Sequence, residues 1–291
     1  MKIIVRLLGG IGNQLFQYAA GRFLATKSAC ELILDDSLMI RRPWMTPRYY
    51  ALGVYNIKAR KTSLKEKSLL LFRVLPPFRY LYEIGLVKSS FTYYREPHYQ
   101  FDPGLHQLAG DLIIEGYWQS GRYFADISDE LRRDLEPISP LGINAQKILD
   151  LIRRGNSVSL HIRRGDYISN TAAAKNFFVC DNAYYQSAVA FVAERVTNPV
   201  FFVFTDDPSW VEKEFRIDFP MVHVSRPNAW PAHDDLRLMS HCNNHIIANS
   251  SFSWWGAWLN PRQKKIVVAP ARWFRKNRNM QDLIPPEWNT V

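Results

Sequence analysis

The chain contains few cysteines and no long apolar run. Its three cysteines, Cys30, Cys180 and Cys242, are far apart and form no C-x-x-C pair. We therefore expect free thiols in a reducing, cytoplasmic compartment and no disulfide framework. No apolar stretch approaches the ~18 residues of a transmembrane helix. The opening stretch MKIIVRLLGG is interrupted by Arg6 and is typical of a first strand, not of a signal peptide.

Metal-binding motifs are also missing. There is no H-E-x-x-H sequence, no paired His/Cys cluster with the spacing of a zinc site and no EF-hand loop. The one stretch that could hold a divalent cation is TDD at 205–207, which follows a predicted strand. We expect no metal and no other cofactor.

The composition is that of an ordinary globular protein. Hydrophobic residues make up 47% and charged residues 22% of the 291 residues, a length that suits two lobes. The formal net charge of +10 predicts an anionic partner, which could be nucleic acid, an acidic membrane surface or a phosphorylated small molecule. Charge alone does not choose among them.

Strand-like and helix-like segments alternate through both halves of the chain. This alternation predicts an α/β fold with two lobes, residues 1–150 and 151–291, and a ligand site in the cleft between them. Tryptophans 254, 255 and 258 recur at helical spacing and are expected to serve as core residues.

Two adjacent arginines follow a predicted strand in the stretch HIRRGDY, residues 161–167. Ligands of parallel sheets gather at the carboxyl ends of strands, and the planar guanidinium binds phosphate oxygens bidentately. Arg163 and Arg164 are therefore candidates for binding a phosphate group. The alternative is a surface ion-pair cluster formed with Asp166.

A second anion site is predicted where the strand-like HIIAN runs into SSFSWWGAWL. A helix that starts there offers free backbone N–H groups and a partial positive charge, and the serine hydroxyls add donors. The alternative is that Ser251 or Ser253 simply caps the helix. The predicted contacts of this segment are Asn249, Ser250, Ser251, Phe252 and Ser253.

Two further stretches complete the candidate site. In TDD, Asp207 precedes Pro208 and is a natural helix cap, whereas Asp206 is expected to contact a ligand hydroxyl or a base edge. The glycine-rich turn GGIGNQ brings Gly10, Gly12, Asn13 and Gln14 to a predicted helix start, although it misses the third glycine of a dinucleotide fingerprint.

The segment 58–88 is strongly basic, with eight Lys or Arg against two Glu. It is predicted either to rest on an anionic lipid surface or to form two ordinary helices broken at the Pro76–Pro77 pair.

The stretches GGIGNQLFQYA, HIRRGDY, FTDD and ANSSFSWWGAWL, in this order, resemble those of the inverting α-1,2-fucosyltransferases of glycosyltransferase family 11. The resemblance implies a GT-B fold, two Rossmann-like lobes facing across a cleft. It implies metal-independent transfer of L-fucose from GDP-fucose to the 2-hydroxyl of a terminal β-galactose. It further implies a galactose-terminated, lipid-linked oligosaccharide as acceptor, in bacterial surface polysaccharide (O-antigen) synthesis at the cytoplasmic face of the membrane.

The resemblance also assigns roles to residues. The first lobe would face the acceptor and the second would hold GDP-fucose. Arg163 would stabilise the leaving diphosphate, and Arg164 would place the nucleotide or fix the loop. Asp206 and Asp207 would lie on the guanine or ribose side of the donor. His161 and Asp166 are the two candidates for the general base. Gly10, Gly12, Asn13 and Gln14 are expected to contact the donor, and Asn13 and Gln14 could instead orient the acceptor without taking its proton.

Two other functions remain open at this stage. A dinucleotide-dependent oxidoreductase is suggested by the strand, glycine turn and helix at the start of the chain, with the Asp35–Asp36 pair ending the next strand. A nucleic-acid-binding protein is suggested by charge and aromatic content, but the basic residues are spread out and no RRM, KH or zinc signature is present. We therefore expect no nucleic-acid partner.

Overall fold

The chain forms two compact units. The first comprises Met1–Glu136 with Gln281–Leu283, and the second comprises Pro137–Met280 with Ile284–Val291. The structure, a computed structural model, describes the residues 1–39, 48–67, 70, 80, 91–165, 178–225, 230–275, 279 and 281–291.

The first unit is built on a five-stranded parallel sheet in the order β3-β2-β1-β5-β4. Its strands are β1 (Lys2–Arg6), β2 (Glu31–Asp35), β3 (Arg60–Lys61), β4 (Thr92–Arg95) and β5 (Leu112–Glu115). Helix α1 (Ile11–Lys27) packs closely on one face, and a Cβ at Gly21 would overlap the side chain of Val5. Helix α2 (Ser128–Asp134) is held to α1 because Asp134 accepts hydrogen bonds from the Tyr18 hydroxyl and Arg22 Nε.

The second unit is built on a six-stranded parallel sheet in the order β11-β10-β9-β6-β7-β8. Its strands are β6 (Asn156–Ile162), β7 (Pro199–Thr205), β8 (Met221–His223), β9 (Asn244–Ile246), β10 (Val267–Ala269) and β11 (Asn289–Thr290). Its helices are α3 (Ile143–Arg153), α4 (Asn182–Ala193), α5 (Pro208–Glu214), α6 (Ala232–His241) and α7 (Ser251–Leu259).

Helices cover both faces of the second sheet. On one face, α4 and α5 bury residues such as Val189 and Val211 against Leu160. On the other, α3 and α6 bury Leu149 and Leu238 against alternate residues of β7. A sheet buried on both faces explains why β7 is apolar along nearly its whole length.

The predicted alternation of strands and helices is confirmed, with two differences. The units divide at Glu136, earlier than the predicted boundary at residue 150, and Gln281–Leu283 returns to the first unit. The division is earlier because α3, which lies mostly before residue 150, packs on the second sheet. The predicted core role of the tryptophans is confirmed, since Trp254 and Trp255 have no exposed surface and Trp258 contacts both rings.

The second sheet has a switch point between β6 and β9, because the chain runs from β6 to β7 and β8 on one side and from β9 to β10 and β11 on the other. In parallel α/β sheets, ligands bind just outside the carboxyl ends of the strands at this point.

A buried histidine helps to join β6 to β9. Ser159 Oγ lies 2.8 Å from Nδ1 of His245, and the Asn260 amide donates to its Nε2 over 2.8 Å. Burial, aided by the nearby charge of Lys265, lowers the pKa of His245 to about 3, so the folded protein holds this ring neutral.

We expect this histidine to make the protein sensitive to acid. An unfolded histidine takes up a proton below about pH 6.5, whereas the folded ring stays neutral, so its contribution is complete above that pH and is lost as the pH falls toward about 3. The stability gap between the wild type and His245→Gln should therefore shrink by up to about 1.4 kcal/mol per pH unit below pH 6. Urea unfolding at several pH values measures the difference in unfolding free energy between the two proteins. A difference independent of pH would contradict the neutral state of the folded His245 ring.

Candidate active site

The carboxyl ends of β6 and β9 bring the two predicted anion-binding stretches together. Leu160 of β6 pairs with Ile246 of β9, so the loop that begins at Arg163 starts beside the loop that leads into α7. The ring of His161 contacts that of Phe252 on the first turn of α7, with centroids 5.6 Å apart. The sequence separates these stretches by some 85 residues, but the sheet makes them neighbours at the switch point.

Asp206, at the end of the neighbouring strand β7, holds the arginine loop. Its Oδ2 lies 3.0 Å from Arg163 Nη1, and its Oδ1 accepts the backbone N–H of Arg164 over 2.8 Å. Both carboxylate oxygens are thus engaged by the loop. This role was not predicted from the sequence, where Asp206 was expected to contact the donor directly. It would have followed from placing the ends of β6 and β7 side by side.

Gly165 allows this close approach. A Cβ at Gly165 would lie 2.8 Å from Asp206 Oδ2, closer than nonbonded atoms approach. A glycine is therefore required at this place in HIRRGDY if the carboxylate is to pack against the loop.

Arg164 points away from Arg163 toward helix α5. Its guanidinium lies over the ring of Trp210, 4.0 Å from the centroid, and its Nε is 3.8 Å from Asp207 Oδ2. Of the two predicted roles for Arg164, this geometry favours fixing the loop. Asp207 caps α5 by accepting the Trp210 N–H over 3.2 Å, with Pro208 at the first helical position, which confirms the predicted cap.

Ser250 caps helix α7, which corrects the expectation that Ser251 or Ser253 would do so. Ser250 Oγ accepts the N–H of Phe252, and Ser253 is fully buried with its hydroxyl directed at the carbonyls of Ala248 and Ser250. Two of the three serine hydroxyls expected to meet a phosphate are therefore committed to the helix start itself. Ser251 and Phe252 remain partly exposed there, so the backbone of the first turn becomes the main anion-binding feature.

Asn249 holds the chain together just before that helix. Its fully buried amide donates to the carbonyls of Phe178 and Trp273, and its Oδ1 accepts from the thiol of Cys180. These bonds tie three separate segments behind the switch point. The structure thus supports a positioning role for Asn249, not the direct ligand contact that we predicted.

His161 is buried, with only 4% of its surface exposed. Burial lowers its pKa to about 3, and the positive charge of Arg163 acts in the same direction while Asp206 opposes it. A ring with so low a pKa is a weak base at neutral pH. The other candidate for the general base, Asp166, lies outside the described residues, so its role stays a prediction.

The predicted residues of the first unit follow the carboxyl end of β1, where helix α1 begins. Gly10 precedes α1, Gly12 and Gln14 are buried, and Asn13 accepts a hydrogen bond of 2.9 Å from Gln119 in the loop after β5. The Gln14 side chain pins the glycine turn to the chain near Tyr49 and Ala51. Their predicted contact with the donor stays a prediction.

Comparison with known proteins decides the family. The model of glycosyl transferase family 11 matches residues 111–291. An α-1,2-colitosyltransferase of Escherichia coli is 36% identical over 291 residues, which cover 98% of this chain and 97% of that protein. The chain belongs to glycosyl transferase family 11. A second relative, the O-antigen biosynthesis glycosyltransferase WbnK of Escherichia coli, is 33% identical over 300 residues and covers 97% of this chain and 98% of its own length.

The fold of this family 11 protein is also found in solved structures. The NodZ α-1,6-fucosyltransferase co-crystallized with GDP aligns with a TM-score of 0.51 at 14% identity, covering 92% of this chain and 94% of that one. At that identity the likeness concerns the fold alone. With the two parallel sheets, it confirms a GT-B-like architecture of two Rossmann-like lobes.

Family membership removes both other functions considered from the sequence. In the first unit, Asp35 has no exposed surface and accepts hydrogen bonds from the Ser37 backbone and hydroxyl, so its carboxylate is already bonded within the fold.

In the part of the chain that the structure describes, no three His, Cys, Asp or Glu residues cluster as metal ligands would. Within the same residues, no helix has both the length and the apolar character needed to cross a membrane.

The Asp206→Asn substitution tests the link between Asp206 and Arg163. The amide keeps an oxygen for the Arg164 N–H but loses the charge that holds the guanidinium, so we expect kcat to fall by about tenfold with little change in melting temperature. Asp181→Asn, which alters another helix cap of the same unit, is the matched control and should stay within about twofold. Equal activity of the two variants would contradict the positioning role.

Proposed function

We propose that this family 11 glycosyltransferase moves L-fucose from GDP-β-L-fucose to the 2-hydroxyl of a terminal β-galactose, with inversion, in the synthesis of a bacterial O-antigen. One observation carries the proposal: Arg163 and the first turn of α7 converge at the β6–β9 switch point. The family and the O-antigen function printed for WbnK support the reaction class and its setting.

The chemistry requires positive charge at the leaving group. As the bond between fucose C1 and the diphosphate oxygen breaks, the sugar gains oxocarbenium character and negative charge grows on the departing GDP. Arg163 and the N–H groups at the start of α7 would stabilise that charge without a metal ion. Asp206 positions the guanidinium for this role through the ion pair between its Oδ2 and Arg163 Nη1.

The acceptor hydroxyl attacks C1 from the face opposite the diphosphate, which converts the β-linked donor into an α-linked product. Its proton must pass to a base or to solvent as the new bond forms. His161 is poorly suited to take it, because burial keeps its pKa near 3. We therefore assign His161 to packing beneath Arg163 and keep Asp166 as the candidate base.

Colitosyl transfer is the second candidate function. The colitosyltransferase relative is 36% identical along almost the whole chain. Colitose is L-fucose without its 3-hydroxyl, so the two donors differ by one polar group on the sugar and share the GDP that Arg163 and α7 would bind. The site described above is compatible with both, and the choice rests on contacts to that hydroxyl.

Donor choice is measured by GDP release from GDP-fucose and GDP-colitose with a panel of β-galactosides. We expect GDP-fucose to be used at least about tenfold better, because a site that hydrogen-bonds a sugar hydroxyl rejects the analogue that lacks it. The reverse preference would replace fucose by colitose in the proposal.

We expect full activity in EDTA, and loss of activity that Mg²⁺ or Mn²⁺ restores would contradict metal independence.

The acceptor side has its own predictions. A galactose-terminated, lipid-linked oligosaccharide remains the proposed acceptor. Contact of the basic segment 58–88 with anionic lipid also stays a prediction, because most of that segment lies outside the described residues.

A further inference from the structure

A row of charged side chains crosses the carboxyl edge of the first sheet. Arg6 at the end of β1 is paired in register with Asp35 of β2 on one side and with Glu115 of β5 on the other. Arg95 of β4 is in turn paired with Glu115. Side chains in register on neighbouring parallel strands point to the same face, so positive and negative groups alternate along this edge.

The row is closely connected at its centre. Arg6 Nη1 donates to Glu115 Oε2 over 3.0 Å, and its Nε lies 3.4 Å from Asp35 Oδ2. The Tyr93 hydroxyl donates to the same Glu115 Oε2 over 2.8 Å. Burial and the nearby carboxylate raise the pKa of Tyr93 to about 12, so the phenol stays protonated and acts as a donor.

Part of the hydrogen-bonding capacity of this row is unused. Arg6 is only 2% exposed; its buried Nη2 makes no hydrogen bond, and its Nε is paired with Asp35 Oδ2 at 3.4 Å without forming one. Glu115 Oε1 lies 3.8 Å from Arg95 Nε, too far for a hydrogen bond, so this oxygen can accept one from a ligand.

The outer end of the row can be reached from solvent. The side chain of Tyr93 is 46% exposed, and that of Arg95 is 68% exposed. A flat aromatic ring beside a carboxylate and a guanidinium offers an apolar surface, an acceptor and donors within one small area.

The charge balance indicates the class of ligand. Two arginines, Arg6 and Arg95, face two carboxylates, Asp35 and Glu115, so the row has no excess charge for attracting a phosphate. A neutral molecule with several hydroxyl groups fits better, since hydroxyls both donate to Glu115 and accept from arginine. The row also lies at the carboxyl ends of β1, β2, β4 and β5, and ligands of parallel sheets bind at this edge.

We propose that Glu115, Arg95 and Tyr93 bind the terminal hexose of the acceptor glycan, with Arg6 holding Glu115 in place. Glu115 Oε1 accepts a hydrogen bond from a sugar hydroxyl, Arg95 donates to a second sugar oxygen, and the Tyr93 ring packs against the apolar face of the hexose. This inference rests on the proposed function, to which it adds the residues that recognise the acceptor.

Tyr93→Ala is the most direct test, because it removes an exposed ring and leaves the Arg6–Glu115 pair in place. With lactose as acceptor, we expect KM for lactose to rise about tenfold or more, as lost binding energy of that size predicts. KM for GDP-fucose and the slow hydrolysis of GDP-fucose without acceptor should stay within about twofold. Tyr99→Ala, which removes another exposed tyrosine of the same unit, is the matched control.

Glu115→Gln tests the carboxylate with a side chain of the same shape. We expect a similar rise in KM for lactose, with the melting temperature measured alongside because the change leaves Arg6 buried beside a neutral partner. An unchanged KM for lactose in Tyr93→Ala, or an equal rise in Tyr99→Ala, would overturn the proposal.

A binding measurement that requires no sugar transfer distinguishes a failure of the proposed acceptor site from a failure of the proposed reaction. Saturation-transfer NMR with methyl β-galactoside and saturating GDP should show contact in the wild type and a strongly reduced signal in Tyr93→Ala. If the wild type transfers no sugar but shows this loss of binding, the reaction is wrong and the acceptor site stands. If it transfers sugar and both variants bind methyl β-galactoside as the wild type does, the acceptor site is wrong and the reaction stands.

Discussion

The ion pair between Arg163 and Asp206 is the interaction on which the rest of the site depends. It joins the ends of two neighbouring parallel strands, β6 and β7, and its geometry requires Gly165 beside the carboxylate. The same carboxylate holds the backbone of Arg164, so a single aspartate sets the path of the chain as it leaves the sheet. The pair is partly exposed, and it contributes a fixed guanidinium position more than stability.

The groups behind this pair are arranged to keep the edge of the sheet rigid. The Asn249 amide ties the start of α7 to two other segments. The hydroxyls of Ser250 and Ser253 form hydrogen bonds with backbone groups at the helix start. His245 holds β9 close to β6 through Ser159. A preorganised set of donors stabilises a developing charge without the cost of reorganising during the reaction. The buried polar side chains therefore serve function by fixing the backbone groups that would contact the donor.

Much of the fold follows from the order of apolar strands, glycine turns and amphipathic helices. The parallel α/β class, the start of α1 and the Asp207 cap could be predicted because each depends on local pattern. Helix α3 spans the predicted boundary at residue 150, and its place in the second unit depends on how Ala145, Leu149 and Ile152 pack against that sheet. The role of Asp206 could not be predicted, since it depends on the apposition of strand ends far apart in sequence. The Arg6 row was missed for the same reason, since it appears only once the strands are in register.

The central claim is that the GDP part of the donor binds at the β6–β9 switch point of the second unit. A crystal structure of the protein with GDP tests it directly. The account predicts that diphosphate oxygens lie about 2.7–3.0 Å from the Arg163 guanidinium and from backbone N–H groups on the first turn of α7. A diphosphate bound away from both groups would contradict it.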